Sequence, residues 1–293
     1  MIKIPRKKLT SGFNMPVFGL GTWKMGGDKE RNPNNNDVAD IQAIVNAIEA
    51  GITHIDTAEG YAEGHAETLV GKAIKDYDRS SLFLVSKVSR GNQSYDQLLK
   101  SAEDSLKRLG TDHLDLYLLH APSRTTPIEE TMKAMDYLYE QGLIKNIGVS
   151  NFTVKQMKKA QAATQNKIVL NQLHLNLMHR ETQQAGLLDT CQNNDVMFAA
   201  WRPLQKGVLL EEGKELLNQM AVKYDKTPAQ IAINWLISQP NVVTLSKMGS
   251  QKHLKENLGA IGWKMDSEDI EKMRREFPNQ QFVSDAVPLE EWD

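Results

Sequence analysis

Short apolar runs alternate with amphipathic stretches along most of this 293-residue chain, and that alternation restricts the possible folds most strongly. Eight apolar runs are predicted as strands, at residues 17–22, 54–56, 82–87, 114–120, 144–150, 168–173, 196–201 and 242–245. Helical patterns lie between or after them, at residues 37–50, 67–76, 95–109, 128–141, 154–163, 181–193, 228–238, 251–258 and 267–277. Strand–helix alternation implies parallel strands joined by helical crossovers. Eight such strands favour a closed (β/α)8 TIM barrel over an open sheet.

The segment before the first predicted strand has a different pattern. Residues 2–15 are predicted as a β-hairpin that turns at Ser11 and Gly12 and covers the bottom of the barrel. The helices at 251–258 and 267–277 are additions after the last strand. No Pro- or Ser-rich linker and no shift in composition divides the chain, so we predict a single domain over residues 1–293.

Charge and cysteine content narrow the class of protein. Lys and Arg number 35 and Asp and Glu number 37, so the formal net charge of −2 does not indicate a nucleic-acid or membrane partner. Cys191 is the only cysteine, which rules out an intrachain disulfide and a cysteine metal cluster. No apolar stretch reaches the roughly 18 residues of a membrane span. We expect a cytoplasmic monomer that acts on a small molecule.

Four polar side chains lie at, or just after, the carboxyl ends of predicted strands. They are Asp56, Tyr61, Lys87 and His120. In an α/β barrel these strand ends open on one face, and that face carries the chemistry. The sequence therefore predicts that a carboxylate, a phenol, an ammonium and an imidazole meet there.

This set of groups suits carbonyl reduction, in which a hydride arrives at carbon and a proton at oxygen. Tyr61 is a reasonable proton donor if its pKa falls from about 10 toward neutrality. The Lys87 ammonium would lower that pKa, and Asp56 would keep the lysine charged and in place. His120 would donate a hydrogen bond to the substrate oxygen and orient it.

Long motifs in the chain resemble those of the aldo-keto reductase family. The matching segments are 19–23, 56–61, 109–112 with 115–120, and 142–145 with 147–152. The resemblance runs from about the first motif to Glu256 and Asn257, which is nearly the whole chain. It implies a catalytic tetrad with Tyr61 as the acid and a nicotinamide cofactor as the hydride donor. The tetrad positions are Asp56, Tyr61, Lys87 and His120.

The nicotinamide end of the cofactor is expected in the strand-end loops. No G-x-G-x-x-G segment follows a predicted strand, so a Rossmann cradle is not implied. Ser150, Asn151 and Gln172 close the fifth and sixth strands with hydroxyl and amide groups that suit a carboxamide, and the resemblance implies that role. We also assign Gly21 and Thr22, from the first motif, to the cofactor site.

The loop after the seventh strand is predicted to hold the pyrophosphate. Trp201 offers an aromatic face on which the nicotinamide ring can stack, where the family more often has tyrosine. Arg202 stands in the position of a family serine and would add positive charge. Leu204, Gln205 and Lys206 would line the loop through their backbone amides.

The adenosine end departs from the family pattern of Lys, Ser or Thr, four residues, Arg, and then Glu-Asn. Lys247 is kept, but Met248 replaces the hydroxyl residue and His253 replaces the arginine. Glu256 and Asn257 are kept. A forked arginine reads a 2′-phosphate better than histidine does. We expect NADP(H) as the cofactor, with NAD(H) as the alternative.

The substrate site and the reaction class leave alternatives open. Trp23, Tyr61 and His120 are predicted to contact the carbonyl compound, whose identity the sequence does not give. The loops around it are predicted at 23–36, 89–92, 121–126 and 279–293. Alternative functions are a non-catalytic partner protein that senses nicotinamide nucleotides and a Schiff-base aldolase with Lys87 as nucleophile. A metal-dependent hydrolase would use three histidines, namely His54, His65 and His120.

Overall fold

Eight parallel strands close into a barrel in a computed structural model that describes residues 2–211, 214–280, 282 and 284–292. Each barrel strand pairs with the next one in sequence, and the last strand closes the ring by pairing with both the strand before it and the first barrel strand. The barrel strands are β3 Phe18–Gly21, β4 His54–Asp56, β5 Phe83–Val88, β6 Leu116–Leu119, β7 Ile147–Ser150, β8 Ile168–His174, β9 Met197–Trp201 and β10 Val242–Ser246. The predicted (β/α)8 barrel is confirmed, and each predicted strand coincides with an observed one apart from its ends.

Helices surround the barrel and follow it. They are α1 Asp37–Ala50, α2 His65–Ile74, α3 Tyr95–Leu109, α4 Ile128–Glu140, α5 Val154–Ala162, α6 Glu181–Gln184, α7 Leu187–Asn193, α8 Glu215–Tyr224, α9 Pro228–Ile237, α10 Gln251–Leu258 and α11 Ser267–Glu276. The start of α9 could be predicted from the sequence because it has a standard N-cap. The Thr227 side chain accepts from the backbone N–H of Gln230, and proline takes the first helical position. None of the helices in the described part is long and apolar enough to cross a membrane.

Two helix predictions need correction. The segment 181–193, predicted as one helix, is broken into α6 and α7 at Gly186, whose φ of +73° is left-handed. Helix α8 was not predicted, because no regular apolar repeat marks it out from the neighbouring loop; only Leu217 and Met220 within it are buried.

The N-terminal hairpin is confirmed and covers the bottom of the barrel. Strands β1 Arg6–Lys8 and β2 Asn14–Pro16 pair antiparallel, and the Leu9 backbone N–H closes the turn on the Phe13 carbonyl oxygen. Leu9 and Phe13 are buried in one cluster with Met197 and other residues from the amino-terminal parts of the barrel strands. Burial of these apolar side chains fixes the hairpin to the barrel.

The barrel core has an inner and an outer layer because side chains alternate between the two faces of each strand. The outer layer lies between strands and helices and includes the fully buried Trp235 of α9. The inner layer includes Val85 and Leu118. Toward the carboxyl ends of the strands the buried positions become polar, as at Asp56 and Lys87. The fold therefore places these polar groups at one end of an apolar barrel.

Candidate active site

A buried ion pair forms the centre of the site. Asp56 ends β4, and Lys87 lies near the end of the neighbouring strand β5. The Lys87 Nζ atom donates to Asp56 Oδ1 at 2.5 Å and to the Thr57 carbonyl oxygen at 2.8 Å. The Lys87 side chain is 0% exposed and the Asp56 side chain 2%. Such a pair is maintained only where further hydrogen bonds satisfy both partners.

The second carboxylate oxygen of Asp56 also has a donor. The Gln172 side-chain nitrogen donates to Asp56 Oδ2 at 2.8 Å. The Asp56 backbone oxygen accepts from both the backbone N–H and the hydroxyl of Thr22, each at 3.0 Å. Two residues predicted to contact the cofactor, Gln172 and Thr22, therefore also fix the orientation of Asp56, a role that the sequence did not indicate.

Tyr61 lies beside the ion pair. The Lys87 Nζ atom donates to the Tyr61 hydroxyl at 3.3 Å. The Tyr61 ring meets the Trp23 ring edge-on at a centroid distance of 4.9 Å and the His120 ring at 5.5 Å. The four residues predicted to form the site are thus brought together, with Trp23 as an aromatic wall against the tyrosine.

The backbone next to Tyr61 is strained. Ala62 and Glu63, which follow it directly, have φ angles of 49° and 55°. Left-handed residues other than glycine are uncommon and cluster at functional sites. Nearby, one Glu59 carboxylate oxygen accepts from the Ser89 backbone at 2.6 Å and from the Asn92 side chain at 3.0 Å. These contacts fix the loop that carries the tyrosine against the loop after β5.

Burial and the ion pair set the protonation states. Burial disfavours the Lys87 ammonium, but Asp56 and Tyr61 outweigh it and raise the pKa of Lys87. Burial, followed by the charge of Lys87, lowers the pKa of His120 to about 3. At neutral pH the site therefore holds a lysine ammonium and a neutral imidazole.

The expected fall in the tyrosine pKa toward neutrality is not found in the free protein. Burial raises the pKa of Tyr61 by disfavouring the phenolate, and the negative charge of Asp56 adds to the increase. Lys87 acts in the predicted direction and lowers the pKa, but the increase outweighs it. The raised pKa keeps Lys87 charged at neutral pH, whereas the Schiff-base aldolase alternative needs an uncharged amine as its nucleophile.

The residues predicted to bind the nicotinamide carboxamide lie at the same end of the barrel. The Asn151 side chain donates to the His120 carbonyl oxygen at 3.0 Å and to the Ser150 hydroxyl at 3.1 Å. The Ser150 hydroxyl donates to the Gln172 carbonyl oxygen at 2.9 Å. Asn151 also has a left-handed φ of 59°. Hydroxyl and amide groups thus converge beside the tetrad, so the residues present fit a nicotinamide ring.

Trp201 belongs to a stack of aromatic rings that the sequence did not reveal. Its ring lies 4.1 Å from that of His174 at an interplanar angle of 8°, and the His174 ring lies 3.8 Å from that of His179. Burial, followed by the nearby His179, holds the pKa of His174 well below its usual value, so the imidazole is neutral at pH 7. The stack fixes the plane of the tryptophan, on which a planar cofactor ring can pack. The position of His174 could have been predicted from the sequence, because it lies two residues after Gln172 on β8 and therefore on the same face of the strand.

The loop after β9 has an unusual backbone. Arg202, Gln205 and Lys206 have φ angles of 57°, 46° and 56°. The Gln205 side chain holds this conformation by accepting from the Asn176 amide at 2.8 Å and by pairing with the His174 ring at 2.9 Å. Strained loops of this kind expose backbone N–H groups and often bind anions. The geometry fits the predicted pyrophosphate loop, which also contains Leu204.

Both cations of this loop contact a residue that the sequence did not single out. Arg202 Nη1 lies 2.6 Å from Asp285 Oδ1, and Lys206 Nζ lies 2.6 Å from Asp285 Oδ2. Asp285 belongs to the segment 279–293 that was predicted to border the substrate site. Residues 281, 283 and 293 of that segment lie outside the described residues.

The residues predicted to bind the adenosine 2′-phosphate differ in their exposure to solvent. Lys247 is exposed, and its Nζ atom donates to the Lys24 carbonyl oxygen at 2.9 Å. His253 is exposed on the first turn of α10. Met248 is 1% exposed and packs in the core, so its side chain is not available to a phosphate. Lys24, which is adjacent to Trp23, was not predicted here.

The last two residues of that pattern lie on α10. Asn257 is buried, and its side-chain nitrogen donates to the Ser246 hydroxyl at 3.4 Å. Glu256 contributes its carbonyl oxygen to the Gln230 side chain at 3.0 Å. Both contacts connect α10 to neighbouring elements, so they position the helix that carries His253.

Loops around the barrel mouth are connected by two arginines. The Arg90 Nε atom donates to the Pro122 carbonyl oxygen at 2.6 Å, which joins the loops after β5 and β6. The Arg124 Nη2 atom donates to the Glu291 carbonyl oxygen at 2.7 Å, which joins the second of these loops to the C-terminal segment. Three of the loops predicted to border the substrate are thus in contact with one another.

The histidines of the metal-hydrolase alternative do not form a common site. His65 lies on α2 and pairs with Asp37 Oδ2 at 2.7 Å. His54 lies in β4, where its ring meets that of Phe83 edge-on, and burial lowers its pKa to about 4. Among the described residues no group of three or more His, Cys, Asp or Glu side chains is arranged to hold a metal ion.

Comparison with known proteins agrees with this geometry. A sequence profile described as the Aldo/keto reductase family matches residues 17–275. The chain belongs to the aldo/keto reductase family. It is 35% identical to the Glyoxal reductase of Bacillus subtilis (strain 168) over 268 residues, which cover 91% of this chain and 90% of the relative. The family predicted from the sequence motifs is therefore confirmed.

Solved aldo-keto reductases share the fold over nearly the full chain. The crystal structure of the thermostable aldo-keto reductase Tm1743, in complex with the inhibitor epalrestat, superposes with a TM-score of 0.88 and 40% identity, covering 96% of this chain and 100% of that one. An aldo-keto reductase from Klebsiella pneumoniae, in complex with NADPH, superposes with a TM-score of 0.83 and 32% identity, covering 98% and 100%. As a family member the protein is an oxidoreductase.

Proposed function

We propose that this aldo-keto reductase reduces an aldehyde or ketone to an alcohol with a hydride from NADPH and a proton from Tyr61. One observation carries the proposal: Lys87 Nζ bridges Asp56 Oδ1 at 2.5 Å and the Tyr61 hydroxyl at 3.3 Å. Because the ammonium donates to the phenol oxygen, the phenol proton is directed away from Lys87. That proton is then available to a carbonyl oxygen in the barrel mouth.

The protonation states support this assignment. Tyr61 is a neutral phenol, because burial raises its pKa, and therefore carries the proton to be given. When bound, NADPH supplies the hydride to the carbonyl carbon. As the proton leaves, the phenolate forms beside the Lys87 ammonium, which is where a positive charge stabilises it most. His120 is neutral, since its pKa is about 3, and donates an N–H to the same carbonyl oxygen.

Three groups of residues hold the cofactor in this proposal. The nicotinamide end contacts Gly21, Thr22, Ser150, Asn151, Gln172 and Trp201. The pyrophosphate contacts the left-handed loop after β9, where Arg202 and Lys206 supply positive charge. The adenosine 2′-phosphate contacts Lys247 and His253, which are both exposed. This set of cations favours NADPH over NADH, and the NADPH complex of the Klebsiella pneumoniae protein supports that order.

The proposed substrates are small carbonyl compounds, which meet Trp23, Tyr61 and His120. The Trp23 ring packs 4.9 Å from that of Tyr61 and restricts the space beside the reacting oxygen. The Bacillus subtilis relative is named for glyoxal, so short dicarbonyls are the first compounds to test.

Binding and turnover test the proposal separately. NADPH and NADH are titrated into the protein by fluorescence, and their oxidation is then followed with a panel of aldehydes and ketones that includes glyoxal. We expect tighter binding of NADPH and turnover with at least one short carbonyl compound. Tight binding without turnover on any member of the panel would favour the nucleotide-sensing alternative. No binding of either nucleotide would contradict the proposal as a whole.

A further inference from the structure

The C-terminal segment places a carboxylate on the two cations assigned to the cofactor pyrophosphate. We propose that Asp285 is an internal ligand of this anion site, which competes with the cofactor phosphate and sets the affinity for the cofactor. The inference rests on the proposed function only in assigning the pyrophosphate to Arg202 and Lys206. It adds a residue from a distant segment that weakens binding instead of supporting it.

The contacts are close and use both oxygens of the carboxylate. Arg202 Nη1 and Lys206 Nζ each lie 2.6 Å from a different oxygen of Asp285. The lowered pKa of Asp285, about 2, is caused mainly by its hydrogen bond to Lys206 and keeps the carboxylate charged at neutral pH. A phosphate oxygen seeks the same N–H donors as a carboxylate oxygen does. Asp285 and a bound pyrophosphate therefore compete for these two side chains.

The segment around Asp285 is attached on both sides. On one side, the Ser284 hydroxyl lies 3.4 Å from His174 Nδ1. On the other side, the Leu289 backbone N–H donates to a Glu181 carboxylate oxygen at 2.9 Å. These contacts keep the carboxylate near the cations even when the ion pairs are broken. The Asp285 carboxylate then acts as an intramolecular ligand. Its effective concentration at the two cations is high, and a free anion has to compete with it.

The exposure of the three side chains limits the size of the effect. Asp285 is 66% exposed, Lys206 45% and Arg202 22%. Ion pairs of this exposure contribute little to stability. Removing the competing charge is therefore expected to strengthen anion binding about three- to tenfold, without changing the fold.

The test compares Asp285→Asn with Glu291→Gln. Both changes remove one negative charge from the same segment. The Glu291 side chain is exposed, and the contacts of this residue are made by its backbone, whose oxygen accepts from Arg124 and whose N–H donates to the Pro288 carbonyl oxygen. Dissociation constants are measured by calorimetry for NADPH and for inorganic pyrophosphate. We expect Asp285→Asn to tighten both about three- to tenfold and Glu291→Gln to change neither by more than about twofold.

A second readout follows the segment itself. Amide hydrogen exchange of residues 284–289 should become faster when NADPH binds, and faster in Asp285→Asn without any ligand. Equal affinities in Asp285→Asn and the unmodified protein would overturn the inference, as would equal gains in the two variants.

The two probes separate this inference from the proposed function. If NADPH does not bind but pyrophosphate binds more tightly to Asp285→Asn, the cofactor assignment fails and the internal ligand stands. If NADPH binds with an affinity that Asp285→Asn leaves unchanged, the internal ligand fails and the cofactor assignment stands. If pyrophosphate binds neither protein, Arg202 and Lys206 are not an anion site and the inference is overturned.

Discussion

The proposed catalytic end and the proposed pyrophosphate end of this site both contain carboxylate–cation pairs, but in opposite environments. Asp56 and Lys87 are 2% and 0% exposed, at the ends of neighbouring strands. Asp285 and Lys206 are 66% and 45% exposed, on loops. A buried pair cannot be separated without leaving a charge in an apolar barrel, whereas an exposed pair exchanges readily with water or another anion. The pair of Asp56 and Lys87 is therefore a permanent part of the structure, whereas the pair of Asp285 and Lys206 can be replaced by another anion.

Lys87→Met should have the largest effect, because it leaves the Asp56 carboxylate buried without its cation. We expect a loss of about 3 to 5 kcal/mol in the free energy of unfolding, and Lys206→Met should lose less than about 1 kcal/mol. The Tyr61 pKa should rise further once the ammonium is gone, which slows carbonyl reduction across the neutral range. Denaturant unfolding and pH–rate profiles measure these effects. Similar losses of stability in the two variants would contradict the distinction between the regions.

Two histidines outside these ion pairs also differ in burial. Burial lowers the pKa of His54 to about 4, while His253 is exposed on α10. An unfolded chain protonates its histidines near pH ~6.5, so the buried histidine favours the folded state above that pH. That contribution should be lost as the pH falls from about 6.5 toward about 4.

Unfolding measured as a function of pH checks this expectation. His54→Leu should make the free energy of unfolding depend less steeply on pH over this acidic range. His253→Gln should leave the slope unchanged. The prediction is wrong if His54→Leu keeps the slope of the unmodified protein.

Cofactor choice is expected to give the smallest effect, since it depends on exposed groups. His253→Arg adds a forked donor on α10, at a position assigned to the 2′-phosphate, and should tighten NADPH binding about three- to tenfold while leaving NADH binding nearly unchanged. Dissociation constants for both nucleotides measure it. If both change equally, or neither changes, His253 does not face the 2′-phosphate.

The same comparison explains how much the sequence could predict. The strand ends could be predicted because each apolar run stops at a polar residue. The parallel strands of a barrel bring those ends together at one face. Asp56 and Lys87 were therefore predicted correctly as neighbours. The contact between Arg202 and Asp285 joins residues 83 positions apart in the sequence and involves no regular element in the tail. No periodic pattern marks such a contact.

The structure differs from the sequence expectation in two further respects, and both depend on the surroundings of a residue and not on the residue itself. The Tyr61 pKa was expected to fall because Lys87 is near, yet the burial that surrounds both groups outweighs that charge. The stack of Trp201, His174 and His179 depends on ring planes that tertiary packing sets. Proximity could be predicted from the strand order, whereas solvation and ring orientation required the structure.

A single-turnover measurement shows whether Tyr61 supplies the proton to the carbonyl oxygen. Protein saturated with NADPH is mixed with an excess of a carbonyl compound that the panel has identified, and nucleotide oxidation is followed in the unmodified protein and in Tyr61→Phe. We predict that the variant binds NADPH with unchanged affinity and transfers hydride about 10²- to 10⁴-fold more slowly. Unchanged hydride transfer in the variant would mean that the proton comes from another group and that Tyr61 is not the acid.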